Sequence, residues 1–216
     1  MKKLLITAAA VVLATSAFAT DLPKKKKAPA AAPAVTTSQA VAPASTDSLT
    51  AAYGQDTAVG DLGSKTDDVY QLTYKHNLGS GFSVGGMAQT TQVPDSQLNQ
   101  NLEAQAGYAF PSYNGFTLSG KVGVGEKFTT ENFSYYAVYG NLDYKLMDKA
   151  TWNALNYRYR SAFDVAENGY QSNQLGTGVT YDINNTYAAS VKLYRNYDKD
   201  FNATGDQFML GATVKF

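Results

Sequence analysis

One histidine and no cysteine leave this 216-residue chain few routes to covalent or hydrolytic chemistry. Without thiols there is no thiolate nucleophile, no disulfide framework and no Cys-based metal centre. His76, the single imidazole, would have to act alone as general base. Neither Asp67 nor Asp68 is spaced to orient it, and no serine completes a Ser/His/Asp cluster with it. In "DKDFNATGD", Asp198, Asp200 and Asn202 alternate in a faint echo of a calcium loop, but the glycine is misplaced and the closing glutamate is missing. The expectation is a protein that is not an enzyme and carries no metal and no cofactor.

What remains is ionic chemistry. Lys75, Glu103, Lys121, Asp143, Lys145, Arg158, Arg160 and Lys192 all fall on one parity of segments whose other parity is apolar. Six are basic and two acidic, so a space lined by them would favour small anions. Glu103 and Lys121 lie on neighbouring segments, as do Asp143 and Arg158, and cross-strand ion pairs are expected between them.

The elements that must position these charges are strands. Ten segments show period-two alternation, over 48–55, 68–78, 82–92, 98–110, 116–126, 133–146, 152–163, 173–182, 187–197 and 207–216. Most have about the 9–11 residues that a tilted membrane-spanning strand needs. Short turns such as "GSG" and "INNT" alternate with longer polar connections such as "DTAVGDLGSKTD" and "DKDFNATGD". That alternation describes an up-and-down antiparallel transmembrane β-barrel of ten strands, with both chain ends on the short-turn side. Eight strands is the alternative, because the first segment is weakly patterned and its loop long.

Aromatic residues support lipid as the outer solvent. Phe82, Tyr108, Phe116, Tyr144, Trp152, Tyr181 and Tyr187 sit toward the short-turn ends, and Tyr53, Tyr70, Phe133, Phe163 and Tyr197 toward the other. Two such girdles mark the two interfaces of a bilayer. Between them the apolar positions are small or medium, as at Ala104, Val122 and Val191. Such side chains suit hydrocarbon better than they would fill a sandwich core.

Ahead of the strands, residues 1–19 read as a secretory signal peptide, with a basic start, an apolar run and the small-residue site "SAFA". Residues 20–47 read as a disordered Ala/Pro/Lys-rich periplasmic linker, and 48–216 as the barrel. The Lys24–Lys27 run is a solvated tether or a contact for an anionic surface. From position 48 onward there are 12 Lys and Arg against 16 Asp and Glu, and no nucleic-acid footprint.

The ending "QFMLGATVKF" places Phe208, Leu210, Val214 and Phe216 on one parity up to the last residue. It resembles the C-terminal signature of bacterial outer-membrane β-barrel proteins. With the leader and tether, the whole chain is similar to small porin-like Gram-negative surface proteins. That resemblance implies the outer membrane, handling by the barrel assembly machinery, and contact with outer-membrane lipid and lipopolysaccharide. It assigns no residue a catalytic or binding role and leaves the oligomeric state open. The function expected is a narrow channel for small solutes with a mild anion preference, helped by inward glycines that leave room for water. The alternative is a non-conducting barrel that serves envelope integrity or surface binding.

Overall fold

The structure, a computed structural model, describes residues 47–93 and 98–216. The expected leader, the tether before Asp47 and the Asp95 connection lie outside the described residues. Ten antiparallel strands run in chain order around a closed barrel: β1 (Ser48–Ala58), β2 (Asp61–Gly79), β3 (Phe82–Gln92), β4 (Leu98–Ala109), β5 (Phe116–Phe128), β6 (Phe133–Met147), β7 (Ala150–Ala162), β8 (Gln171–Asp182), β9 (Tyr187–Tyr197) and β10 (Ala203–Lys215). One helical turn, α1 (Val165–Asn168), interrupts the β7–β8 connection. The eight-strand alternative is therefore excluded.

Closure is made by β1 pairing with β10, from Ser48 opposite Lys215 to Thr57 opposite Asp206. Beyond the last ladder pair, Asp47 N–H donates to Phe216 O at 2.7 Å and Phe216 N–H donates to Asp47 O at 2.9 Å. No strand is left as an edge, which matters because an unpaired backbone group in hydrocarbon costs several kcal/mol. The seam explains why the chain is apolar up to its last residue. Phe216 is paired backbone on a lipid-facing wall, not a frayed end.

The first hairpin differs from expectation. "DTAVGDLGSKTD" is not a long loop: β1 and β2 continue through it to a two-residue turn at Val59–Gly60. Gly60 supplies the positive φ of 75° that the turn requires. Register shifts beyond Asp56 break the regular alternation there, which hides the strand from a period-two reading. At the opposite end Ser80 and Gly81 form the β2–β3 turn with φ of 51° and 86°, the both-positive pattern of a type I′ hairpin.

A second irregularity lies in β7. Leu142 pairs with Leu155 but Asp143 pairs with Asn153, so Ala154 is an extra residue. The bulge lets Trp152 and Leu155, of opposite parity, both face outward, while Asn153 and Asn156 line the same interior cavity. The outer wall carries Leu118, Val122 and Val124, each more than half exposed. So much apolar surface is stable only against hydrocarbon. Aromatic contacts band the short-turn end, with Phe82–Tyr108 at 4.8 Å and Phe116–Tyr144 at 4.5 Å between centroids. Tyr53–Tyr70 at 5.4 Å and Tyr136–Phe163 at 5.6 Å band the other.

Candidate functional site: the barrel lumen

Inward side chains divide the lumen into two halves of different character. In the half toward the longer connections, Glu103 of β4 is 1% exposed, Tyr135 of β6 0% and Arg160 of β7 2%. Arg160 Nη2 lies 3.2 Å from Glu103 Oε2. Tyr135 OH donates to the same oxygen at 3.0 Å, while Tyr139 OH and Gln105 Nε2 donate to Oε1 at 2.5 and 2.7 Å. The carboxylate is thus saturated, the condition under which a buried charge is tolerable. Arg160 also reaches Met87 Sδ on β3 at 3.9 Å and lies over the Tyr135 ring. Strands β3 and β7 are four apart in the ring, so this guanidinium spans the lumen as a crossbar.

Glycines make the crossbar possible. A Cβ on Gly123 would stand 2.6 Å from Glu103 Oε1, and one on Gly125 would stand 2.8 Å from Tyr135 OH. The same holds elsewhere: a Cβ on Gly107 would collide with Lys121 Cγ, on Gly178 with Lys192 Cγ and on Gly176 with the Tyr194 ring. The inward glycines therefore receive neighbouring side chains. They do not widen a water path, as their small size suggests from sequence.

On the opposite wall of this half, Gln207 Nε2 donates to Asp56 Oδ1 at 2.7 Å, and Gln174 Nε2 to Asn196 Oδ1 at 2.8 Å and Gln207 Oε1 at 3.2 Å. Val69, Met87 and Met209 complete the packing. Among the described residues, the buried Nε atoms of Arg158 and Arg160 meet no hydrogen-bond partner, nor do Gln89 Oε1 and Asn101 Oδ1. Polar atoms so placed are ready partners for internal water.

The half toward the short turns is open and basic. Between the halves, against the crossbar, a central cavity of about 220 Å³ is lined by residues that include Gln105, Lys121, Arg158, Arg160 and Lys192. A second, of about 390 Å³, includes Lys75, Lys121, Asp143, Asn153 and Lys192 in its lining. Both cavities share Lys121, Asn141, Asn156 and Lys192. Lys121 Nζ donates to Gln105 Oε1 at 3.1 Å and sits 4.6 Å over the Tyr139 ring.

The eight charges singled out from sequence are thus sorted, not gathered. Glu103 and Arg160 form the crossbar, Arg158 joins Arg160 in lining the central cavity, and Lys75, Lys121, Lys192 and Asp143 line the open half. Lys145 stands at the rim, paired with Asp148 at 2.9 Å. The ion pairs expected from sequence do not form. Glu103 is opposite Gly125 and Lys121 opposite Gly107, so the ladder separates the two by four positions. Asp143 faces Asn153, whose Nδ2 donates to it at 2.8 Å, while Arg158 faces Tyr139.

Three participants were not anticipated. Tyr135 and Tyr139 lie on the inward parity of β6, a signal masked because tyrosine also reads as lipid-facing. Asp47 receives Tyr74 OH at 2.9 Å and His76 Nδ1 at 2.5 Å, and so ties the seam to β2 on the outer face. His76 is committed to that contact. In the β9–β10 loop Asp198 Oδ1 accepts from the amides of Asp200 and Asn202, both at 2.9 Å, and Asn202 Nδ2 donates to Oδ2. These turn bonds occupy the carboxylate that a calcium loop would use, and they hold it below the usual carboxylate pKa. Among the described residues no group of three or more His, Cys, Asp or Glu is placed to hold a metal ion.

No protein-family description matches the sequence, and neither does any curated protein. Among solved structures, the fold is similar to an outer-membrane channel from Pseudomonas putida F1. The two share 10% identity across 80% of this chain and 95% of that one, with a TM-score of 0.51. The KdgM porin in complex with disordered oligogalacturonate (13% identity, 78% and 99% covered, TM-score 0.46) and the NanC porin (13%, 78% and 100%, 0.42) also match. At these identities the likeness is one of fold: this chain is a closed antiparallel β-barrel.

Proposed function

We propose that this protein is a narrow outer-membrane channel for small solutes with a mild anion preference. The observation that carries this reading is the pair of interior cavities sharing Lys121 and Lys192, with Lys75 and Arg158 lining one each. Barrels of eight strands are just filled by side chains, and ten strands leave a little more section. Here the surplus appears as cavity volume lined by basic side chains. The exposed apolar band and aromatic girdles support residence in the outer membrane beside lipopolysaccharide. The terminal Phe208, Leu210, Val214 and Phe216 stripe supports delivery by the barrel assembly machinery. The similar fold of an outer-membrane channel adds to this reading.

The test is planar-bilayer recording of the full chain under a salt gradient. The expected result is small unitary steps with a reversal potential displaced toward the anion. Absence of steps would overturn the channel. One observation favours the second reading, a non-conducting barrel for envelope integrity or surface binding: the Glu103–Arg160 crossbar is fully buried. Under that reading no steps appear in the wild type, and the variant Glu103→Gln stays silent as well.

A further inference from the structure

We infer that the open half of the lumen contains a discrete binding site for a small solute carrying two or more anionic oxygen groups, held by Lys75, Lys121 and Lys192 and open toward the short-turn side. The inference deepens the proposed function and rests on its reading of the basic cavities as open to solutes.

Three strands that are not neighbours, β2, β5 and β9, each send one lysine into a single cavity of about 390 Å³. That volume falls in the range of small-molecule sites. Convergence from distant strands differs from the even scatter expected of a solvated wall. Among the described residues no carboxylate lies within 4.0 Å of any of the three ammonium groups, whereas Lys65, Lys145, Lys199 and Lys215 are each ion-paired. Asp143 is the single acid in the lining, and Asn153 donates to it. Three positive charges against one negative leave a surplus of two, enclosed by low-dielectric walls that focus the field. A monoanion would leave half of that surplus unmatched, a dianion matches it, and a trianion offers one charge to each of the three lysines. Amides of Asn141 and Asn156 and hydroxyls of Ser83 and Ser119 line the same space as neutral donors. On the far side lies the crossbar, with the Glu103 and Arg160 side chains 0% and 3% exposed, and it narrows the lumen there. A solute of this size therefore enters from the short-turn side.

The experiment is calorimetric titration of the full chain, folded in detergent micelles, with citrate and separately with acetate. Citrate should bind with a Kd below about 1 mM and acetate at least about tenfold more weakly, as expected when one charge-assisted contact is worth about a decade. Lys121→Gln and Lys192→Gln should each weaken citrate about tenfold, and Lys149→Gln, an exposed turn lysine, should leave it unchanged. Equal affinity for the two anions, or an effect of Lys149→Gln as large as that of Lys192→Gln, would overturn the site. Should a lysine variant fail to fold, protection answers the question with all lysines intact. Citrate should slow modification of Ser119→Cys by a cationic thiol reagent, and no slowing would overturn the site. Binding needs no conductance, so a silent bilayer with citrate bound removes the channel and keeps the site. Conductance without binding does the reverse.

Discussion

The two halves of the lumen are built from the same strands with opposite outcomes. Toward the longer connections a charged pair is buried and cross-braced, with its carboxylate saturated. Toward the short turns the charges share a cavity and lack acidic partners. What separates them is the company each charge keeps. Glu103 has Gly123 and Gly125 beside it, which admit its own carboxylate and the Tyr135 ring. Lys192 and Lys121 use their glycines, Gly178 and Gly107, only to lay down their stems. A period-two strand specifies which face a residue takes. The small neighbour decides whether its head group meets a partner or water.

Breaking the crossbar gives the largest effect. Glu103→Ala leaves Arg160 buried and uncompensated, and should cost about 3–5 kcal/mol in urea unfolding from lipid vesicles. The same variant should enlarge any unitary conductance, because the crossbar is gone. Filling the space that admits it comes next. Gly123→Val pushes Glu103 off its partners and should destabilise by about 1–3 kcal/mol. Gly140→Ala, where a Cβ meets nothing within 4 Å, should stay within about 0.5 kcal/mol. Equal costs for the two would remove the argument that the glycines are there for close approach.

In the open half the expected change is in selectivity, not stability. Lys192→Gln should move the reversal potential toward the cation side and leave the urea midpoint where it was. Outside the lumen, Asp47→Ala loses the bonds from Tyr74 and His76 and should cost about 1 kcal/mol, read by the same unfolding assay. The smallest effect is in the β9–β10 loop. Asp198 has its pKa lowered by Asn202, so the bonds it accepts are complete above the ordinary carboxylate range and lost as pH falls through the lowered value. The Asp200 and Asn202 amide resonances should be flat from neutral pH down to about pH 5 and shift below about pH 4.

Most of the wall was legible from sequence because lipid outside and a polar lumen inside impose a strict parity. β3 and β9 begin and end where alternation does, and the paired Phe216 follows from closure. Legibility failed where parity fails. The β1–β2 extension passes through register shifts, and Ala154 reverses the parity of β7, though the apolar pair Trp152 and Leu155 was a signal of it. Inside the lumen the alternation says which residues point inward but not how far along the strand each sits from its partner. That offset, set by register and shear, assigned Glu103 to Arg160 and not to Lys121. Tyrosine adds a second ambiguity. Tyr136 faces outward and Tyr135 is buried one position away, and composition treats them alike.

The division of the lumen can be tested directly, because the chain has no cysteine of its own. Ser119→Cys lies in the open basic half and Asn101→Cys in the packed half, where the native side chain is 6% exposed. With the barrel folded in vesicles, a water-soluble thiol reagent should modify the first rapidly and the second at the slow rate of a buried group. Similar rates at both positions would contradict the account, since the crossbar half would then be no more packed than the other.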